Sequence, residues 1–270
     1  MLPASNRLLI LTILVTARHV VASGAVIHQL SSERQSSPVN VRVLLPDRLP
    51  SEGEARLPVV FVLPVEAGDE VRWGDSLSEV QKLELPNRHN VVCVFPTFSD
   101  LPWYADHPEN PHLQQEAFLL HDVLPLVEQN HPVRKDREGR LLVGFSKSGC
   151  GAWSLLLRHP DTFYRAAFDA PLMMDAPNKY GAGPIFGTTE NFRNYQLTSL
   201  LEQRADSLRD TPSRLMFIGN GNFQAEHLQM HDRLESSMIP HTWIAGDKRE
   251  HSWHSGWLSE AFDWLMEKSP

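Results

Sequence analysis

The run Leu141-Leu142-Val143-Gly144-Phe145-Ser146-Lys147-Ser148-Gly149 decides how this 270-residue chain is read. Its first residues are wholly apolar, the mark of a short strand covered on both faces. Small residues then interrupt the run, and Ala152–Arg158 (Ala-Trp-Ser-Leu-Leu-Leu-Arg) resumes with helical character. A strand that turns sharply into a helix around a central serine holds that side chain out at the end of a sheet. Such a turn strains the serine backbone and requires small residues two before and two after it. Gly144 meets the first requirement. Ser148 stands at the second, where glycine is usual, and Gly149 follows. Ser146 is therefore the candidate nucleophile, and the plainer alternative is a serine that caps the helix.

Outward from this turn, the same alternation repeats. Leu57–Leu63 and Val91–Phe95 are further buried-strand patterns, and Val39–Leu45 reads as a first strand. Arg165–Phe168, Arg214–Ile218 and Thr242–Ala245 supply short later strands. Helical spacing appears over Ser76–Leu85, Leu113–Asn130, His227–Met238 and Leu258–Lys268. Short buried strands alternating with helices predict an α/β fold: a mostly parallel central sheet with helices on both faces. The segment Asp175–Pro212, whose first half is rich in Gly and Pro, reads as a short insertion before the late strands, over the sheet's carboxyl edge.

The amino terminus has a different character. Arg7 precedes the apolar run Leu8–Val15, and Val20-Val21-Ala22-Ser23-Gly24 follows. This is a secretory signal pattern with cleavage expected after Ala22, or else after Gly24, and the run is far short of the roughly 20 residues that span a bilayer. The expected division is residues 1–22 signal peptide, 23–38 loose leader and 39–270 one domain, in a protein secreted or periplasmic, with no stable membrane insertion. The formal charge of −8 argues against nucleic acid as a partner. Cys93 and Cys150 both sit in apolar surroundings and read as small buried hydrophobes rather than a disulfide.

Serine needs a base to take its proton and an acid to orient that base. In chain order the base should follow the last strand, where Gly246–Trp257 offers His251 and His254. The acid should follow strand Arg214–Ile218. The usual position there holds Asn222 and Phe223, so Glu226, the only carboxylate of that loop, is the first choice and Asp169 the alternative. Oxyanion donors would be the backbone amides of Lys147 and of Val65 or Glu66, after strand Leu57–Leu63. Trp103, Tyr104 and Trp253 are candidates to touch substrate.

With these residues placed, the chain resembles the putative-esterase family of the α/β-hydrolase superfamily, with esterase-D-type enzymes, feruloyl and acetyl-xylan esterases and mycolyltransferases as relatives. The carriers are Leu57–Leu63, the elbow Gly144–Gly149, Leu157-Arg158-His159-Pro160-Asp161-Thr162-Phe163, and His251-Ser252-Trp253 with Trp257. The resemblance implies an α/β-hydrolase fold and a serine esterase acting on a small-molecule or carbohydrate-linked ester. It also implies His251 as base, since the family's catalytic histidine opens a His-x-Trp-x-x-Trp pattern. Trp257 arrives one residue late, which keeps His254 open, and Pro64-Val65 replaces the family's usual His-Gly pair. An acyltransferase or peptidase would use the same residues, and an inactive binding protein could keep the same fold. No cofactor is implied. His227 and His231, four apart with Asp232 beside them, lack an evident third ligand and read as solvated helix histidines rather than a metal site.

Overall fold

The computed structural model describes residues 20–22, 24–169, 174–177, 179–219, 223–246 and 249–267. Among these residues, nine strands form one sheet: β1 (Val20–Ala22), β2 (Ala25–Leu30), β3 (Val39–Leu44), β4 (Val59–Leu63), β5 (Val92–Pro96), β6 (Arg140–Phe145), β7 (Arg165–Asp169), β8 (Leu215–Ile218) and β9 (His241–Ile244). Their spatial order is β1-β2-β3-β5-β4-β6-β7-β8-β9. The first three pair antiparallel, and β5 through β9 run parallel. Among the described residues, ten α-helices accompany them: α1 (Ser76–Lys82), α2 (Leu85–His89), α3 (Gln115–Phe118), α4 (Leu124–Asn130), α5 (Lys147–Arg158), α6 (Gly183–Phe186), α7 (Thr189–Tyr195), α8 (Leu197–Arg209), α9 (Gln224–Ser236) and α10 (Trp257–Met266). A π turn over Leu119–Val123 joins α3 to α4.

The central strands are apolar throughout because both faces are covered. Along β4, Val59, Phe61 and Leu63 enter the core beneath α3, α4, α5, α8 and α9. Val60 and Val62 enter the opposite core, beneath α1, α2 and α10. This period of two assigns every strand residue to one side of the sheet.

Two expectations need correction. Ala25–Leu30 is not loose leader but β2, in register with β3. Its inward His28 bonds to His131 at 2.9 Å, which explains why a polar residue can occupy a core position there. The insertion is also shorter than expected. Helix α8 buries Leu197, Leu200, Leu201, Ala205 and Leu208 in the main core and is a regular crossover helix. Only the stretch through α6 and α7 stands apart, on a separate cluster with Trp103 and Ala105.

Cys93 and Cys150 are both buried, and no disulfide joins them. Burial raises the Cys93 thiol above its ordinary value, and pushes that of Cys150 up to about 12. Among the described residues no helix is long and apolar enough to cross a membrane. The expected signal segment lies outside the described residues up to residue 19, as does Asn222.

Candidate active site

All six parallel strands end at one edge, and the chemistry-bearing residues collect there. Helix α5 begins at Lys147, directly after β6, so no connecting loop separates strand from helix. Ser146 sits between them with φ 55 and ψ −128. For a residue with a Cβ this conformation is strained, and it persists only where the surroundings impose it. Two contacts do so. A Cβ at Gly144 would collide with the Ser148 carbonyl, so strand and helix approach as only glycine permits. The Ser146 amide also donates to the Asp169 carbonyl on β7. Ser146 makes no side-chain capping bond, and its backbone is not that of an N-cap, which removes the capping alternative.

Ser148 accounts for its own departure from glycine. Its fully buried Oγ accepts from the Phe145 amide at 2.9 Å and donates to the Phe145 carbonyl at 2.8 Å, closing the elbow from inside. The loop after β4 is tied to the same point. Tyr104, fully buried, donates its hydroxyl to the Pro64 carbonyl at 2.6 Å, with the Ser148 hydroxyl beside it. Its ring fits only because residue 151 is glycine. Glu66 reaches Lys147 Nζ at 3.8 Å, so an ion pair joins the two segments expected to supply oxyanion donors. Val65 is buried beneath them. The Lys147 amide is the first of helix α5, where backbone donors lack an intrahelical partner.

His251 is half-buried among aromatic rings. Its centroid lies 4.4 Å from Phe145, 5.2 Å from Trp73 and 5.1 Å from Phe223. Phe145 precedes Ser146, so the imidazole is at the elbow. Burial, reinforced by the neighbouring His227 imidazole, lowers its pKa to about 4. His254 is turned elsewhere, with Nε2 3.3 Å from the Asp75 carbonyl and its ring against Gly74. Trp253 is buried, its ring tilted against Phe145 and stacked on Trp257, and its amide donates to the Trp73 carbonyl. It holds the histidine loop in place.

The two carboxylates occupy different sides. Asp169 ends β7, fully buried, in register with Phe145. Strand alternation turns it with Ala167 toward the α10 face, the face that Phe145 and Trp253 share. Glu226 opens α9 on the opposite face, and its Oε1 accepts from Lys179 Nζ at 3.2 Å and from the Tyr180 hydroxyl at 3.0 Å. A model of the Putative esterase family matches residues 32–235.

The chain belongs to the Putative esterase family. This esterase's reaction class is carboxylic ester hydrolysis. Among solved structures it is similar to FphF, a fluorophosphonate-binding serine hydrolase of Staphylococcus aureus. The two are 18% identical over 90% of this chain and 98% of that one, with a TM-score of 0.74. It is similar to an S-formylglutathione hydrolase from Agrobacterium tumefaciens, at 18% identity, 92% and 97% coverage and a TM-score of 0.70. A ferulic acid esterase gives 20% identity, 90% and 96% coverage and a TM-score of 0.70. These likenesses establish the α/β-hydrolase fold. No curated protein sequence matches the chain.

One feature of the esterase was signalled only in part, through Trp103 as a candidate substrate contact. Beside α5, one turn beyond the elbow, Trp103, Cys150, Ser154, Met174, Phe186 and Tyr195 line a recess of about 350 Å³ including its open mouth. Among the described residues, the indole N–H of Trp103 and the hydroxyl of Ser154 meet no partner. The wall contributed by Phe186, Phe192 and Tyr195 comes from the insertion, more than thirty residues along the chain, so no local pattern sets its closure against α5.

Proposed function

We propose that this esterase cleaves a small carboxylic ester through an acyl-Ser146 intermediate, with His251 as the base. The observation that carries the reading is the imposed φ of Ser146 at a loop-free strand–helix junction, with His251 against the preceding residue. His251 takes the hydroxyl proton as Oγ attacks the ester carbonyl carbon. The carbon–oxygen bond to the alcohol then breaks, and the alcohol leaves with that proton. A water deprotonated by His251 attacks the acyl carbonyl and releases the acid, returning Ser146. The Lys147 amide, with that of Val65 or Glu66, would stabilise the oxyanion.

For the orienting acid, register favours Asp169, which shares a face with the ring it would hold. Glu226 is the second reading; it would have to release Lys179 and Tyr180 and act across the sheet edge. The recess beside Cys150 is mostly apolar and narrow, which supports a short acyl group with one hydrogen-bond acceptor for Trp103 or Ser154. The S-formylglutathione hydrolase likeness agrees with a small acyl group. The leader pattern supports action outside the cytoplasm.

The test is intact mass after exposure to a fluorophosphonate probe, on wild type and Ser146→Ala. One adduct on wild type and none on the variant is the expected result. A folded wild type that stays unlabelled would sink the acyl-serine reading.

A further inference from the structure

Helix α9 and strand β9 meet at the sheet's far edge in a group of side chains that the ester chemistry does not use. His231 and Glu235 are four residues apart on α9 and so face the same way. Ser237–Pro240 then reverses the chain, with Met238 at φ 56, and brings His241, the first residue of β9, against that helix face. His231 Nδ1 lies 2.8 Å from His241 Nε2, and Glu235 Oε1 lies 3.9 Å from the same Nε2. The three ligand atoms fall within 4.8 Å of one another. The expected pair of solvated histidines is thereby divided: His227 is fully buried near His251, and His231 belongs to this other group.

We propose that His231, Glu235 and His241 form a zinc site that clasps α9 to the edge strand. Several features prepare the donors. His241 Nδ1 is 2.8 Å from the Ile239 carbonyl and must donate to it, which leaves the Nε2 lone pair directed at His231. A backbone carbonyl that fixes the tautomer of a ligating histidine is the usual outer support of a metal site. The rings are held by packing: His231 lies 4.5 Å from Trp243, and His241 stacks on Phe217 at 6.0 Å. The His241 side chain is 3% exposed and that of Glu235 67%, so a fixed imidazole faces a carboxylate arm free to close from solvent. Two imidazoles and one carboxylate suit zinc better than calcium or magnesium, which prefer oxygen. With Zn–N near 2.0–2.1 Å in a tetrahedral site, the two nitrogens would stand about 3.3 Å apart. The observed pair need open by only about half an ångström, a small side-chain rotation, leaving the fourth position to water.

The location separates this site from catalysis. His241 begins a parallel strand, whereas Ser146 and Asp169 lie beyond or at strand carboxyl ends. Zinc here would stabilise the α9–β9 edge without touching the ester.

The test uses the full chain, stripped with a chelator and titrated with Zn²⁺ by calorimetry. One equivalent should bind and raise the melting temperature, and Co²⁺ in its place should give the visible absorption of a tetrahedral site. Glu235→Gln should weaken binding at least about tenfold. His241→Ala should abolish it, and ester turnover should be unchanged in both variants. Glu235 is exposed, so its variant keeps the test open if His241→Ala does not fold. Absence of saturable binding by wild type, or binding unaltered in Glu235→Gln and His231→Asn, would overturn the proposal and leave a hydrogen-bonded histidine pair.

Discussion

The β6–α5 junction and the β8–α9 junction stand at the same edge of the sheet and were built by opposite logic. At the first, nine consecutive residues contain strand, turn and helix, and each supports the next: Gly144 admits the Ser148 carbonyl, and Ser148 bonds back to Phe145. At the second, the roles are distributed. Glu226 on α9 reaches the insertion through Lys179 and Tyr180, while its neighbour His227 lies buried near a histidine 24 positions further along. A local steric requirement leaves its trace in adjacent residues. A choice of which side of a sheet to serve is made by register with a neighbouring strand, and that leaves no trace in either strand alone.

The strongest way to break this comparison is to exchange the two carboxylates' burdens. Asp169→Asn, nearly isosteric, should lower kcat by about 10⁴-fold with little change in KM, the cost of a misoriented base. Glu226→Gln should change kcat by less than about tenfold, as expected of a group outside the reacting set. Steady-state ester hydrolysis measures both, with thermal melts to confirm that each variant folds. The reverse pattern would return the orienting role to Glu226 and show that the α9 face does serve the base.

The same two carboxylates mark the limit of what the sequence makes legible. Strands β4, β5 and β6 were legible because burial on both faces demands unbroken apolar runs. Ser146 was legible because its turn needs small neighbours at fixed offsets. Strand β2 was not, because His28 occupies a core position whose partner, His131, is 103 residues away. The insertion ends earlier than its composition predicts: glycines and prolines before residue 189 mask the apolar spacing of α8 that follows. His241 lay outside the helical spacing that drew attention to His227 and His231, so the third member of that group was invisible until the chain reversed at Met238.

The base sharpens the contrast in a second way, through pH. His251 must be neutral to accept a proton, so activity is lost as pH falls through its pKa. At pH 5 a histidine of ordinary pKa would be about 3% neutral. With its value lowered to about 4 by burial, His251 stays mostly neutral there. The acid limb of kcat/KM should therefore fall well below 6.5, a difference of about thirtyfold at pH 5. A limb near 6.5 or above would mean that a charged carboxylate outweighs burial in the free enzyme. A fall of that limb in Asp169→Asn would identify the carboxylate.

The smallest effect tests the local side of the comparison. If Ser148 serves the elbow and not the reaction, Ser148→Ala should cost stability while sparing chemistry. The substitution keeps a small side chain and removes both bonds to Phe145, leaving a buried amide without its acceptor, at a cost of about 1–3 kcal/mol. For a chain of this size that corresponds to a fall in Tm of about 2–4 °C per kcal/mol. Calorimetry should show the fall, and turnover at 25 °C should remain within about threefold, because Gly144 still imposes the close approach that sets the Ser146 backbone. A large loss of kcat with an unchanged Tm would invert the assignment. The hydroxyl would then act through the adjacent Tyr104 hydroxyl, which donates to the Pro64 carbonyl, on the placement of the Val65 and Glu66 amides. In that case even the most local part of this site would depend on a loop more than eighty residues away.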